Sequence, residues 1–458
     1  MLQLHDTATG AVGPLTLREP GRVTIYACGP TVYDLPHIGH GRYVLVWDVA
    51  RRFLVSQGYE VTFVSNITDI DDNIINRAAE EGSSESEVAA TYEAEWFAAM
   101  DRLEVLRPDA TPHATAYVTQ MVELLERLLA AQVAYLTDDG VYLDVATVAD
   151  YGLLAGQPLD QLRSGARIEA NEQKRSPLDF ALWKNAKPQQ PSWPASFGAG
   201  RPGWHTECVV MSLDLLGEGF DLHVGGQDLR FPHHENERAQ AVADGRRFAR
   251  HWAHSGFVMV GGEKMSKSLK NFTSLTDLLE RADARAYRLL CLQAHYRAPL
   301  EVTPETIAQA EATLLRLDNL ARRFALPALP ATPVVLAAFD LDPAAVGEFV
   351  AAMEDDLDTP RAFAQVMALV SAANGAADAG DGAGAHALAT TVAVLLGALG
   401  LRLAPVEVEV DPASAALASA RDAARAAKDW AAADRLRAEL EVLGWVVEDR
   451  DGVTTLHR

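Results

Sequence analysis

Residues 22–59, RVTIYACGPTVYDLPHIGHGRYVLVWDVARRFLVSQGY, decide the fold. RVTIYA is a run of β-branched and aromatic residues that ends in a Gly-Pro turn, the pattern of a buried strand. From Val44 to Leu54 the apolar residues recur at helical spacing, and EVTFVSNITDIDD at 60–72 is a second β-branched strand with aspartates at its exit. Strand, glycine turn, helix and strand in that order predict an α/β fold whose core is a doubly wound parallel sheet of the Rossmann type.

Outward from this unit, helices are predicted over much of 80–131, ending near a tight turn at Asp138-Asp139-Gly140. Residues 135–203 are rich in Gly, Pro and Ser and read as an inserted connective segment. The sheet then resumes, with WHTECVVMSLDLL and HHENERAQAVADG as helices and FDLHVGGQ and HWAHSGFVMV as strands. After about 275 the pattern is helical to 403, broken by the Pro-rich stretch ALPALPATP at 325–333. The Ala/Gly-rich residues 371–390 read as a mobile connection between helices, and 403–412 as a linker. Residues 418–444 read as one basic amphipathic helix stopped by Gly444, and the tail as two short strands around an Asp-Gly turn. The expected division is 1–134 and 204–275 for the two halves of the sheet domain and 135–203 for the insert. Residues 276–325 form a helical stem-contact region, 334–403 a helical bundle and 413–458 a small C-terminal α+β domain.

At 458 residues, 49% of them apolar, the chain can bury several cores. It has no apolar run of eighteen residues and no basic stretch followed by an apolar one at its start. Three scattered cysteines, Cys28, Cys208 and Cys291, suit a reducing cytoplasm and not a disulfide framework. The net charge of −23 argues against a broadly basic nucleic-acid surface, but not against a local one.

Three constellations carry chemistry. His37-Ile38-Gly39-His40-Gly41 lies at the strand-to-helix turn, where glycines let a phosphate approach, the helix N-terminus attracts it, and two imidazoles can donate to it. Lys264-Met265-Ser266-Lys267-Ser268 follows a Gly261-Gly262 hinge and suits a clamp on a pyrophosphate leaving group. Either alone is commonly just a turn or a solvated loop; together, in this order and about 225 residues apart, they point to nucleotidyl transfer. The third is Cys28, Cys208, His233 and Glu237, all acceptable zinc ligands, the last two spaced to share one helix face. Spacing alone leaves His205, Glu207 and His234 as rivals.

HIGH followed by KMSKS is the signature pair of class I aminoacyl-tRNA synthetases. The blocks CGPTVYDLPHIGHGR, NITDIDD, RPGWHTEC, FPHHENE and EKMSKS closely resemble cysteinyl-tRNA synthetases from about residue 3 to the C-terminus. The resemblance implies ATP-dependent activation of L-cysteine, with magnesium on the nucleotide, and transfer to the 3′-terminal adenosine of tRNA(Cys), in a monomer free of membrane. It implies His37, His40, Lys264 and Lys267 as catalytic residues, with Gly39, Gly41, Met265, Ser266 and Ser268 also at the ATP. It selects Cys28, Cys208, His233 and Glu237 as the ligands of one Zn2+ per chain, which reads the substrate thiol. It places Gly29, Thr68, Trp204, His223 and Asp228 around the cysteine, and Trp430 and Asp434 in an anticodon-reading end where Arg421, Arg425, Lys428, Arg435 and Arg437 interleave. Lys270 stands where the family commonly has Gly, and Gln227 where Ser is common; neither touches a residue assigned chemistry. A related ligase that passes activated cysteine to an amino sugar would lack the end KDWAAADRLRAELEVLGW.

Overall fold

Residues 22–27 form a strand buried on both faces. Val23, Ile25 and Ala27 enter one hydrophobic cluster, and Tyr26, with Cys28 just beyond, enters another. A computed structural model describes residues 1–156, 173–264, 274–404, 410–450 and 453–457. They fall into two compact units, Met1–Leu403 and Ala404–Arg458.

In the first unit an antiparallel hairpin, β1 (Gln3–Asp6) and β2 (Ala11–Pro14), precedes β3 (Arg22–Ala27). Helix α1 (Ile38–Ser56) leads into β4 (Glu60–Ser65), followed by α2 (Asp72–Glu81), α3 (Glu85–Arg102) and α4 (Val118–Ala130). The insert contributes a separate antiparallel sheet of β5 (Ala134–Thr137), β6 (Gly140–Leu143), β7 (Phe180–Asn185) and β8 (Gly200–Pro202). Then come α5 (Trp204–Leu216), β9 (Leu222–Gly226), α6 (Glu235–Ala243) and β10 (His251–Ser255).

The core sheet has the order β10-β9-β3-β4, parallel throughout, with Ile25 opposite Phe63 on one side and Leu222 on the other. Such a sheet must be covered on both faces. Leu45, Trp47 and Phe53 of α1 cover one face. Cys208 and Met211 of α5, with Ala239 and Ala241 of α6, cover the other. The chain runs outward from β3 to β4 in its first half and to β9 and β10 in its second. The strand order therefore reverses between β3 and β9, and the carboxyl ends of those two strands open the crevice where such folds bind ligands.

HWAHSGFVMV is not one strand. It breaks at Gly256-Phe257, and β11 (Val258–Val260) belongs to a small separate sheet, order β12-β11-β13, with β12 (Glu263–Lys264). Gly261 and Gly262, with φ of +64° and +78°, make the two-residue turn between β11 and β12. Next come α7 (Leu275–Arg281), α8 (Ala284–Leu292), β13 (Leu300–Glu301) and α9 (Pro304–Arg323). The bundle adds α10 (Pro343–Glu354), α11 (Thr359–Asp378) and α12 (Gly382–Ala398). Residues 371–390, expected as a mobile connection, are thus helix except for a three-residue turn, because the alanines favour helix and Asp381 caps the second segment.

In the second unit the single helix expected over 418–444 is two, α13 (Pro412–Ala426) and α14 (Trp430–Val442). Lys428 takes a left-handed φ of +57°, and the Asp429 side chain caps the second helix by accepting from the Ala432 N–H. Gly444, at φ +83°, ends it as expected, and β14 (Val446–Arg450) pairs antiparallel with β15 (Val453–His457). The Asp451-Gly452 turn lies outside the described residues. Among the described residues no helix is long and apolar enough to cross a membrane.

Candidate active site

Three elements deliver the candidate metal-ligating set. Cys28 follows the last residue of β3, Cys208 lies in the first turns of α5, and His233 and Glu237 straddle the start of α6 one turn apart. All four are buried, Glu237 completely. The sulfurs of Cys28 and Cys208 are 3.7 Å apart, Cys208 Sγ is 3.7 Å from His233 Nε2, and Cys28 Sγ is 3.4 Å from Glu237 Oε1. Two thiolates each about 2.3 Å from a tetrahedral zinc would be about 3.8 Å apart, so the sulfurs already stand at the spacing of a zinc tetrahedron. Glu237 Oε1 and His233 Nε2, at 2.8 Å, form a hydrogen-bonded ion pair.

Electrostatics prepare one strong anion in each half of the set. Burial pushes the Cys208 thiol up, but the hydrogen bond from Cys28 and the proximity of His233 outweigh it and bring it down to about 6. Burial and the neighbouring Cys208 hold Cys28 well above its ordinary value. Burial would raise Glu237, yet His223 and His233 hold its carboxyl well below the usual range. Burial opposes the charge on His233, and Glu237 and Cys208 overcome it, lifting that imidazole to about 10.

Each rival makes a hydrogen bond of its own. Glu207 accepts from Thr68 Oγ1 at 2.6 Å, His205 Nδ1 meets His233 Nδ1 at 2.9 Å, and His234 Nδ1 meets His254 Nε2 at 2.9 Å. A second grouping, Cys28, His223, His234 and Glu237, also brings its ligand atoms within 4.8 Å of one another, but it shares two residues with the first. His223, expected beside the substrate, is fully buried and bonds Glu237 Oε2 at 2.6 Å, so it meets the cluster from behind.

Gly29, Thr68 and Trp204 gather beside the cluster. The Gly29 N–H donates to Asn66 Oδ1 at 2.9 Å, and a Cβ on Gly29 would lie 1.6 Å from the Asn66 carbonyl oxygen. Asn66 Oδ1 also accepts from the Cys208 thiol, and Asn66 Nδ2 donates to Thr68 Oγ1 at 3.3 Å. Sequence reasoning did not single out Asn66; its place at the exit of a strand, two residues before Thr68, was the available signal. Trp204 stacks on His233 with ring centroids 4.0 Å apart and is 37% exposed, walling the mouth. Asp228 is exposed beyond β9, two residues from Gly226.

The His37–His40 turn, the candidate phosphate site, is built reciprocally. The His40 N–H donates to His37 Nδ1 at 3.1 Å, the His37 N–H donates to His40 Nδ1 at 3.3 Å, and the rings stack at 3.6 Å. Because each Nδ1 accepts, each neutral ring carries its proton on Nε2. A Cβ at Gly41 would meet Tyr287 and Leu275, which is why glycine is needed there. Of the second motif, Lys264 lies in β12; Met265, Ser266, Lys267, Ser268 and Lys270 lie outside the described residues.

In the C-terminal unit Trp430 is 61% exposed, and Asp434, Lys428 and Arg435 are exposed too. Three of the basic residues are ion-paired within the unit: Arg421 and Arg425 with Asp449, and Arg437, on the surface, with Glu441.

Residues 15–312 match the family model of the class I (C) tRNA synthetase catalytic domain, 348–404 that of the DALR domain, and 407–455 that of the cysteinyl-tRNA ligase anticodon-binding domain. The chain is 44% identical to the cysteine–tRNA ligase of Halorhodospira halophila over 98% of both chains. It is 43% identical to that of Alkalilimnicola ehrlichii over the whole of both. Among solved structures it resembles Mycobacterium tuberculosis methionyl-tRNA synthetase in complex with methionyl-adenylate, with a TM-score of 0.59 at 17% identity over 82% of this chain and 89% of that one. It also resembles the LeuRS of a LeuRS–tRNA–LeuAMS ternary complex from Agrobacterium radiobacter, with a TM-score of 0.62 at 12% identity over 84% and 85%.

Proposed function

The chain belongs to the cysteine–tRNA ligase family of class I aminoacyl-tRNA synthetases, and from that premise we propose how its residues divide the work of joining cysteine to tRNA. Cys28, Cys208, His233 and Glu237 hold one zinc, and the observation that carries this is the 3.7 Å spacing of two buried sulfurs with an imidazole and a carboxylate closing on them. Zinc bound there supplies a Lewis acid that favours a thiolate over an alcohol at neutral pH. His223 fixes the orientation of Glu237 from behind, while Gly29, Thr68, Trp204 and Asp228 bound the space for the rest of the amino acid, Asp228 facing its ammonium.

His37 and His40 donate from Nε2 to the phosphates of ATP, which carries magnesium, at the N-terminus of α1. Gly39 leaves room for the phosphates, and the motif Lys264–Ser268 serves the same nucleotide, with Lys264 and Lys267 stabilising charge. The cysteine carboxylate oxygen attacks the α-phosphorus, the bond to the β-phosphate oxygen breaks, and pyrophosphate leaves with its charge on those donors. A ribose hydroxyl of the terminal adenosine of tRNA(Cys) then attacks the mixed anhydride and releases AMP. No protein nucleophile is required. Trp430 and Asp434 read the anticodon. The chain works as a cytoplasmic monomer.

A site that recognises a specific polar group rejects an analogue lacking it by roughly 10⁴–10⁵ without a separate editing step. The test is ATP-dependent transfer of labelled cysteine to tRNA, with labelled serine as control, before and after zinc is removed by a chelator. Cysteine alone should be transferred, activity should vanish with the metal and return with added zinc, and Cys208→Ala should lose zinc and cysteine activation together. Metal-free protein that still prefers cysteine to serine as strongly would defeat the thiol-reading assignment.

A further inference from the structure

Arg42 lies in α1 two residues after His40, is 2% exposed, and spends its guanidinium on backbone carbonyls. Nη1 donates to the Phe257 oxygen at 2.6 Å, and Nη2 donates to the oxygens of Tyr296 at 3.2 Å, His295 at 3.4 Å and Ala298. Phe257 is the residue before β11, and Ala298 lies two residues before β13, the strand that pairs parallel with β11. The guanidinium therefore grips the roots of two of the three strands of the small sheet whose third strand carries Lys264. Gly256 packs this root tightly: a Cβ there would lie 2.5 Å from the Ala298 oxygen and 2.6 Å from that of Arg297. The same stretch of chain holds the phosphate turn from outside as well. Tyr287 Oη donates to the Ile38 carbonyl at 2.5 Å, and the Leu275 N–H donates to that of Pro36 at 2.9 Å.

A buried guanidinium is costly to keep, and a leucine would fill the space more cheaply. What the planar fork adds is a fixed geometry between elements far apart in sequence. We propose that Arg42 is a positioning residue that sets the distance between the His37–His40 turn and the strand arm bearing Lys264, so that both ends of the nucleotide site close on one triphosphate. The proposal rests on the nucleotide reading of those two motifs. Lysine cannot replace it, since a single ammonium cannot span carbonyls on two strand roots.

The experiment is cysteine-dependent pyrophosphate exchange by the full-length, zinc-loaded protein. Arg42→Lys, and independently Gly256→Ala, which spreads the same root without touching a charge, should each lower exchange kcat by about 10²-fold, the effect of a displacement near 1 Å. The KM for cysteine and one zinc per chain should be unchanged. Lys264→Ala should lower exchange in the native background and cost at least about tenfold less in the Arg42→Lys background, because the lysine is already misplaced. A merely structural arginine would give additive losses, and that result overturns the proposal, as does native kcat in either variant. If Arg42→Lys does not fold, Gly256→Ala combined with Lys264→Ala decides in the same way. Lys264→Ala without effect in the native background would instead remove the underlying reading of the motif, and the proposal with it.

Discussion

Cys28 and Gly29 are neighbours at one strand end under unlike constraints: the first presents a sulfur to the cluster, the second must present nothing. With a methyl group 1.6 Å from the Asn66 oxygen, Gly29→Ala has to part β3 from β4. Because Asn66 also holds the Cys208 thiol, the expected outcome is loss of bound zinc together with a raised KM for cysteine, read by metal content and pyrophosphate exchange. At this scale the sequence singled out candidate residues and hid how they are held. His37 and His40 were legible as a strand-to-helix turn, but their stacking and reciprocal capping were not, since both depend on backbone angles at the turn. The bond between His223 and Glu237 was not legible either, because it depends on how the strand carrying one packs against the helix carrying the other. Cys291 shows the converse: burial pushes its thiol up to about 12, so it stays the inert apolar residue its surroundings suggest.

Helix α1 is more than a platform for the phosphate turn. Two turns on, Asp48 is 3% exposed and pairs with Arg52 at 2.8 Å and Arg288 at 2.6 Å, while accepting the Leu106 N–H at 2.9 Å. Burial alone would raise this carboxyl, but the two guanidinium groups and the Leu106 N–H hold it below its ordinary value. A depressed carboxyl contributes stability that is fully present above its unfolded pKa of about 3.9 and is lost as pH falls through the lower folded value. Asp48→Asn leaves two buried cations facing a neutral amide and should cost about 3–5 kcal/mol at neutral pH, measured by urea unfolding. Part of that difference between variant and native protein should disappear between pH 5 and pH 3; a constant difference would exclude the ion pairs as its origin. Elements were legible where periodicity was strong, as in α1, and misread where composition stood in for it. Residues 371–390 look like linker but are alanine-rich helix, and 418–444 look like one helix because Lys428-Asp429, a left-handed residue followed by a cap, is a short signal inside a long amphipathic pattern.

Across the whole molecule, activation and tRNA reading are assigned to units that fold around separate cores. Trp430→Ala in the second unit should therefore raise the KM for tRNA without altering cysteine-dependent pyrophosphate exchange. A stacked base is worth about 1–3 kcal/mol, so a change of roughly tenfold is expected in charging assays. An unchanged KM would remove Trp430 from the anticodon surface. The order of segments was legible from the chain because each carries its own signature, and the acidic balance of −23 did not betray the RNA partner. Ion pairing explains part of that: Arg421, Arg425 and Arg437 are spent within their own unit, leaving the overall charge a poor guide to any one surface. The insert between β4 and β9 has a consequence for birth as well as for shape. Ile25 and Leu222 are partners in the sheet, yet at translation speeds of about 5–20 residues per second the second follows the first by roughly ten to forty seconds. For most of that interval β3 has β4 but no partner on its other edge, and until Cys208 is made Cys28 is the sole member of its candidate ligand set. On the proposed zinc reading the ligand set is complete only when Glu237 has been made, so a nascent chain stalled before that residue should emerge without its metal.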